Sequence, residues 1–295
     1  PPRAKLLTKN RGTVDFVLAI EGLRKDRNSC GGYAFSLVVP ALGGRAGERI
    51  LVTGPAGSGK STLLDMLGMV WRPDAVDRCL FTTRKRPAGE AEEPDPEVLP
   101  GNSSRPSGTK TIGDVARAWA RDNREQLAIL RRHAGYIRQT GGLLPFLSIR
   151  ENILLPGNLL GLPHNGLPLA LAEELGIARL LNKLPAELSV GERQRAAIAR
   201  ALASEPPLVL ADEPTAALDP ANAGTVLQLF SRITEKLGTA VILVSHAPEQ
   251  VRDLGFRNLT ICPCIPTESQ GVTAVLTDDP ETQSYGAGVK TGGES

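Results

Sequence analysis

The amino-acid sequence predicts an α/β fold with a parallel sheet. Three short apolar runs, each bounded by turn residues, end in polar side chains, as strands buried on both faces do: 49–53, 208–211 and 240–244. Longer stretches with helical spacing lie between them, most clearly 191–203 and 222–237. Strands that alternate with helices in this way are typical of α/β proteins.

The composition excludes several classes of protein. The 295 residues include 34 Lys and Arg against 32 Asp and Glu, a net charge of +2, which argues against charge-driven binding of nucleic acid. Hydrophobic residues make up 41% and charged residues 22%, as in globular proteins. No run approaches the roughly 18 apolar residues of a membrane-spanning helix. We therefore expect a soluble, cytoplasmic chain that reaches a membrane only through a partner.

Two segments interrupt the α/β pattern. Residues 84–110 contain five prolines and five carboxylates, and we expect a mobile surface insertion there because this composition buries little apolar area. Residues 261–295 are expected to form a C-terminal extension, which is rich in Gly, Thr, Ser and Asp from about residue 267 onward; this composition is compatible with a disordered tail. Either segment is compatible with a solvated loop or with partner binding.

A phosphate-binding loop is predicted directly after the first apolar run. The sequence from Gly54 to Ser61 fits G-x-x-x-x-G-K-[ST] and leads into a helical pattern over 62–70. Glycines let successive N–H groups point at phosphate oxygens, and the start of the helix adds positive potential. The predicted nucleotide-binding residues are Gly54, Pro55, Ala56, Gly57, Ser58, Gly59, Lys60, Ser61 and Thr62.

Polar residues follow the other two apolar runs. Asp212 and Glu213 end the second run, where Asp212 is expected to hold Mg²⁺ and Glu213 to polarise the attacking water. His246 follows the third run and is placed to contact the γ-phosphate. Without the phosphate loop, an N-terminal helix cap and a packed histidine would explain the same residues.

The order of the motifs resembles that of the nucleotide-binding subunit of ATP-binding-cassette (ABC) transporters. The LSVGE sequence at 188–192 resembles the LSGGQ signature of that family, and 216–219 resembles its D-loop. Gln139 stands where the family has its Q-loop glutamine, and His246 matches its switch histidine. The resemblance covers about residues 13–260.

This resemblance implies the fold of an ABC ATPase. Its P-loop NTPase core, with a parallel sheet and an antiparallel β edge, would comprise residues 13–139 and 205–260, and an α-helical subdomain would be inserted at 140–204. It implies ATP and Mg²⁺ as cofactors, Ser61, Gln139 and Asp212 as metal ligands, and Glu213, His246 and Gln139 as catalytic residues. Two chains would form a homodimer around two ATP molecules, each chain contributing Ser189, Gly191, Glu192 and Asp219 to the partner's site. An integral membrane permease is the further partner implied, which places the chain on the cytoplasmic face of the inner membrane.

The stretch 135–156 resembles the lipoprotein-release, macrolide-export and cell-division subgroup of this family. The chain also departs from the family pattern. Val190 replaces the first glycine of the signature, and Ala247 stands where an Asp is usual. Ser189 and the Gly191 N–H group are still available for the γ-phosphate.

A further departure concerns the base of the nucleotide. Counting back from Gly54 to where the subgroup has a tyrosine stacked on adenine gives Arg27, and no aromatic residue occurs over 19–32. A guanidinium group can stack on a purine, so Arg27 is the predicted base contact, with Arg24 and Lys25 as substitutes. The alternative is that Arg27 points to solvent and the base is barely held.

Two other functions are compatible with the motifs. A non-transport ABC ATPase acting on DNA is disfavoured by the near-neutral charge and the lack of coiled-coil heptads. A regulatory nucleotide-binding scaffold with little turnover would be favoured if the Glu or the His were missing, but both Glu213 and His246 are present.

Overall fold

One mixed sheet organises the molecule. The computed structural model describes residues 16–28, 34–84, 110–163, 165–264 and 271–278. The strands in these ranges are β1 (Phe16–Asn28), β2 (Ala34–Arg45), β3 (Arg49–Thr53), β4 (Arg78–Arg84), β5 (Lys110–Asp114), β6 (Ala134–Ile137), β7 (Leu208–Asp212), β8 (Ala240–Val244), β9 (Arg257–Cys264) and β10 (Gly271–Thr277). The helices are α1 (Lys60–Leu67), α2 (Val115–Ala120), α3 (Arg124–Arg132), α4 (Ile149–Leu159), α5 (Leu167–Glu174), α6 (Val190–Leu202) and α7 (Pro220–Leu237).

The sheet has a parallel half and an antiparallel half, which confirms the predicted α/β class. Its strand order is β5-β4-β1-β2-β10-β9-β3-β8-β7-β6. The strands β9, β3, β8, β7 and β6 run parallel, whereas β5, β4, β1 and β2 are antiparallel neighbours. The strand β10 joins the halves, because it pairs parallel with β2 and antiparallel with β9.

The three apolar runs identified in the sequence are buried on both faces. In β7, Leu208 and Leu210 pack into one core with α1, while Val209 and Ala211 pack into a second core with α4 to α7. The strands β3 and β8 alternate in the same way. Because helices cover both sides, the carboxyl ends of these parallel strands share one edge, where ligands bind in such sheets.

Helices α4, α5 and α6 lie between β6 and β7, within the predicted insertion at 140–204. A capping box begins α4: Ser148 accepts a hydrogen bond from the Glu151 N–H, and Glu151 accepts one from the Ser148 N–H. A half-buried arginine on α6, Arg200, donates to the carbonyls of Gly142 (2.8 Å) and Gly141 (3.3 Å) in the loop after β6. This loop is therefore held by the helix that begins at the signature sequence.

The sheet continues past residue 260, where the sequence suggests the domain boundary. The strand β9 continues to Cys264, and β10 lies inside the sheet with Ala274 and Leu276 buried. This strand was not predicted because the tail around it is rich in Gly and Thr, and because only alternate residues of the strand face the core. Residues 265–270 and 279–295 lie outside the described ranges.

The predicted insertion at 84–110 connects two paired strands. Arg84 and Lys110 are opposite one another at the ends of β4 and β5, so both residues belong to the sheet rather than to a loop. Residues 85–109, on which the rest of that prediction falls, lie outside the described part of the chain.

Candidate nucleotide site

The glycine-rich loop joins β3 to α1 and is held in a tight curl. Gly54 has φ +148°, and a Cβ there would come within 2.8 Å of the Ile261 carbonyl oxygen. Gly59 has φ +96°, and its Cβ would lie 3.1 Å from the ring of Phe35. Pro55, Ala56 and Gly57 are exposed between them, whereas Thr62 is buried in α1. Only glycine fits the two close approaches without displacing neighbours.

The Lys60 ammonium lies inside this loop. The residue is only 5% exposed, and its Nζ donates to the carbonyls of Gly54 (2.9 Å) and Pro55 (2.8 Å). Burial lowers the pKa of Lys60, while the nearby carboxylates of Glu213 and Asp212 act in the opposite direction. Ser58 Oγ is buried and has no hydrogen-bond partner among the described residues. A buried cation and an unpaired hydroxyl under a curled loop fit the phosphates of a nucleotide.

A hydroxyl and a carboxylate meet beside Lys60. Asp212 is the last residue of β7, and Ser61 Oγ donates to its Oδ1 at 3.2 Å. Burial raises the pKa of Asp212; the Asp65 carboxylate raises it further, and Ser61, Arg138 and Lys60 lower it. Oxygen donors of this kind suit Mg²⁺, which is commonly held by one or two protein oxygens, phosphates and water.

Glu213 and His246 lie together at the same edge of the sheet. Glu213 Oε1 is 2.7 Å from His246 Nε2, and the Glu213 N–H donates to the carbonyl of Val244 at 3.0 Å. Gln139 is exposed two residues beyond β6, whose end is level with Ala211 of β7. The edge therefore carries the predicted phosphate-loop lysine, metal ligands and catalytic residues.

The predicted partner-site residues form a second group, at helix starts. Ser189 is the N-cap of α6, and its Oγ and N–H both contact the Glu192 carboxylate. Asp219 is the N-cap of α7 and accepts from the Asn222 N–H at 3.1 Å. A Cβ on Gly191 would lie 3.5 Å from Leu218, so the two helix starts adjoin.

The three cationic candidates for the base contact have different surroundings. The Arg27 guanidinium lies 4.3 Å from the ring centroid of Trp71, in cation–π contact. Arg24 pairs with Asp26 (2.8 Å), and Lys25 pairs with Asp74 (3.0 Å). The exposed Arg27 is thus stacked on an aromatic ring rather than extended alone into solvent.

The sequence analysis did not predict two contacts in this region. The first is the contact of Arg27 with Trp71, which are far apart along the chain and not related by any local pattern. Tyr136 on β6 donates its hydroxyl to Asp65 Oδ1 at 3.1 Å. The second feature had a signal in the sequence, because Asp65 lies four residues after Ser61 and so on the same face of α1.

A parallel sheet with a glycine-rich loop between β3 and α1 and an acidic residue ending β7 defines a P-loop protein of the α/β class. Comparison with known proteins narrows this class. The family model described as "ABC transporter" matches residues 97–216. With relatives 34–36% identical over at least two thirds of its length, the chain belongs to the ABC transporter family of ATP-binding proteins.

Two relatives carry the name lipoprotein-releasing system ATP-binding protein LolD. The protein from Legionella pneumophila (strain Lens) is 36% identical over 204 residues, 68% of this chain and 75% of the relative. The protein from Maricaulis maris (strain MCS10) is 34% identical over 260 residues, 85% of this chain and 99% of the relative. These similarities agree with the subgroup indicated by residues 135–156.

Solved structures show the same fold. A dimeric ATP-binding cassette in a post-hydrolysis state, bound to ADP and Pi, aligns with a TM-score of 0.60 at 27% identity, covering 82% of this chain and 93% of the cassette. Within the described ranges, none of the helices has both the length and the apolar character needed to cross a membrane.

Proposed function

We propose that this chain hydrolyses ATP as the nucleotide-binding subunit of an ABC transporter that drives a membrane partner. The observation that carries the proposal is the convergence of Lys60, Ser61, Asp212, Glu213 and His246 at one edge of the sheet. The two carboxylates face a buried lysine and a curled loop, which is the arrangement phosphoryl transfer requires.

The mechanism assigns each side chain one task. Lys60 and the loop N–H groups bind the phosphates and stabilise the charge that develops on the transferred group. Ser61 and Asp212 would hold Mg²⁺, with Gln139 as a further oxygen donor; the ion supplies positive charge against the phosphates. Glu213 accepts a proton from the attacking water. His246, whose Nε2 lies 2.7 Å from the Glu213 carboxylate, would contact the γ-phosphate beside it.

A second copy of the chain would complete each site. Ser189 and Gly191 lie at the start of α6, where backbone N–H groups and the helix dipole attract phosphate. Ser189 is bonded to Glu192 within the helix cap. We assign Ser189, Gly191, Glu192 and Asp219 to the ATP held by the partner copy, as the family resemblance implies. Val190 is 44% exposed, so its extra bulk stays on the surface.

The membrane partner follows from the family. The LolD relatives are named for a lipoprotein-releasing system, and we propose an integral membrane permease as the partner here, with this chain on the cytoplasmic face of the inner membrane. The near-neutral net charge gives no basis for a nucleic-acid partner.

Replacing Glu213 by Gln tests the proposal. The Glu213→Gln variant should bind ATP but lose at least about 100-fold in turnover, since it removes the general base, and it should accumulate an ATP-bound dimer on gel filtration. Lys60→Ala should instead lose ATP affinity, and with it the dimer. Glu173→Gln, at an exposed site on α5, is the matched control and should hydrolyse ATP like the wild type. Hydrolysis at the wild-type rate by Glu213→Gln would refute the proposed mechanism.

A further inference from the structure

Asp65 is a carboxylate beside the predicted metal site that has no task in the mechanism above. It follows Ser61 by one turn of α1, and helical side chains point back toward the preceding turn. The pKa of Asp212 is raised by burial and also by the negative charge of Asp65. The i, i+4 spacing puts Asp65 on the same face of α1 as Ser61, and its hydrogen bond to Tyr136 puts it on the side of α1 that faces β6.

Asp65 is held in place by β6. Tyr136 OH donates to Asp65 Oδ1 at 3.1 Å. The Tyr136 ring packs tightly on the same face of α1, because a Cβ on Gly68 would lie 3.1 Å from it. Asp65 thus has a fixed position and keeps acceptor capacity, since a carboxylate offers about four lone-pair sites and the tyrosine occupies one.

The surroundings of Asp65 admit water. A cavity of about 160 Å³ opens beside it, between α1, the end of α3 and β6, and is also lined by Tyr136, Arg131 and Arg138. This volume is large enough for several water molecules. Most of its lining is apolar, and the side chains of Asp65, Tyr136, Arg131 and Arg138 are the groups there that offer hydrogen-bond partners. Mg²⁺ gives up its waters reluctantly, so the waters that remain on the ion need acceptors nearby.

We propose that Asp65, positioned by Tyr136, accepts hydrogen bonds from the waters of the Mg²⁺ held by Ser61 and Asp212, and so sets the affinity of the site for Mg²⁺. The inference rests on the proposed nucleotide site. Asp65 acts through water and is therefore a positioning residue. Its negative charge strengthens Mg²⁺ binding, whereas without Mg²⁺ the same charge repels the phosphates of ATP.

The test is the Mg²⁺ dependence of binding of a non-hydrolysable ATP analogue, AMP-PNP, measured by calorimetry with and without EDTA. In the near-isosteric Asp65→Asn variant the amide oxygen can still accept from Tyr136. The Mg²⁺ concentration for half-maximal binding should rise about ten-fold, in the range expected when an outer-shell partner of a metal is changed. Binding in EDTA should stay equal or become tighter, which damage to the fold would not produce.

Two further variants complete the experiment. Tyr136→Phe keeps the charge of Asp65 but removes its anchor, and should raise the Mg²⁺ requirement by less than Asp65→Asn does. Asp122→Asn removes a carboxylate from an exposed turn with φ +49°, a conformation asparagine also adopts, and should leave both measurements unchanged. An unchanged Mg²⁺ requirement in Asp65→Asn, or weaker binding in EDTA, overturns the inference. A wild-type protein that binds no AMP-PNP would refute the proposed function itself.

Discussion

Glu213 is held in a left-handed backbone conformation, with φ +46°. A residue with a Cβ in this region costs of order 1–3 kcal/mol, and such residues persist where the surroundings fix them. Here the Glu213 N–H is bonded to the Val244 carbonyl, and the side chain is bonded to His246. The strain turns the Glu213 carboxylate away from the line of β7, so that Asp212 and Glu213 are placed for two different tasks.

Arg27 and Trp71 provide a prediction about the base. A guanidinium group has two faces, and Trp71 covers one of them, so the other is available to stack on adenine. Arg27→Ala should weaken ATP binding several-fold, Arg27→Tyr should restore it, and Trp71→Ala should fall between them because the guanidinium is no longer held flat. ATP and GTP should be hydrolysed with similar efficiency, since stacking does not distinguish the two purines. Calorimetry on the purified variants measures the binding.

The control for the base contact is Arg24→Ala, which removes a cation already paired with Asp26 and should bind ATP like the wild type. Wild-type affinity in Arg27→Ala would place the base elsewhere.

The residues of the candidate site differ in how well the sequence predicts them. Lys60, Asp212 and His246 could be found because each follows an apolar run that reads as a buried strand. Trp71 could not be identified in this way. Its contact with Arg27 forms only because the segment after α1 lies beside β1 in the fold. Contacts of that kind come from tertiary packing, which no local spacing encodes.

At the scale of elements, α6 links two parts of the site. Its first residues carry the signature, and its Arg200 holds the carbonyls of Gly141 and Gly142, which have φ of +74° and +63°. Burial lowers the pKa of Arg200, but an arginine stays charged at neutral pH, so both hydrogen bonds are charge-assisted. A movement of α6 would therefore be transmitted to the loop that carries Gln139.

The paired ends of β4 and β5 give a prediction about the insertion. Because Arg84 and Lys110 are already opposite each other, a short linker can close this hairpin, and loop length itself costs little closure entropy. Replacing residues 87–108 with a short Gly/Ser linker should leave the melting temperature within about 2 °C and the basal ATPase rate nearly unchanged. Differential scanning calorimetry and a phosphate-release assay measure these two quantities.

Loss of partner-stimulated activity alone would identify the insertion as a docking element. Failure of the shortened protein to fold would show that the core needs these residues.

At the scale of the whole molecule, the two halves of the sheet depend on β10. Ala274 and Leu276 are buried between β2 and β9, although composition alone predicts no ordered strand there. Three strands of the parallel half, β3, β7 and β8, could be predicted because continuous apolar runs mark them. The joining strand β10 was not predicted. It contains a short apolar run (272–276), but the tail around that run is rich in Gly, Thr, Ser and Asp.

Truncation tests the importance of this strand. Removing residues 279–295 should leave the melting temperature nearly unchanged, because β10 is retained. Removing residues 265–295 deletes β10 and exposes the facing edges of β2 and β9. Burial of one large apolar side chain is worth about 1.5–3 kcal/mol, so the melting temperature should fall by more than about 5 °C. Equal melting temperatures of the two truncated proteins would contradict the role assigned to β10.

The position of β10 also constrains the order in which the protein can fold during translation. Its neighbour β2 leaves the ribosome early, whereas β10 is the last of the described strands to be made. Until then, the antiparallel half and the parallel half of the sheet each have an open edge strand that can pair with other chains. The phosphate loop contacts both halves, since Gly54 packs on Ile261 of β9 and Gly59 on Phe35 of β2. A nucleotide bound there would hold the two halves together, so ATP should speed the folding of the newly made protein.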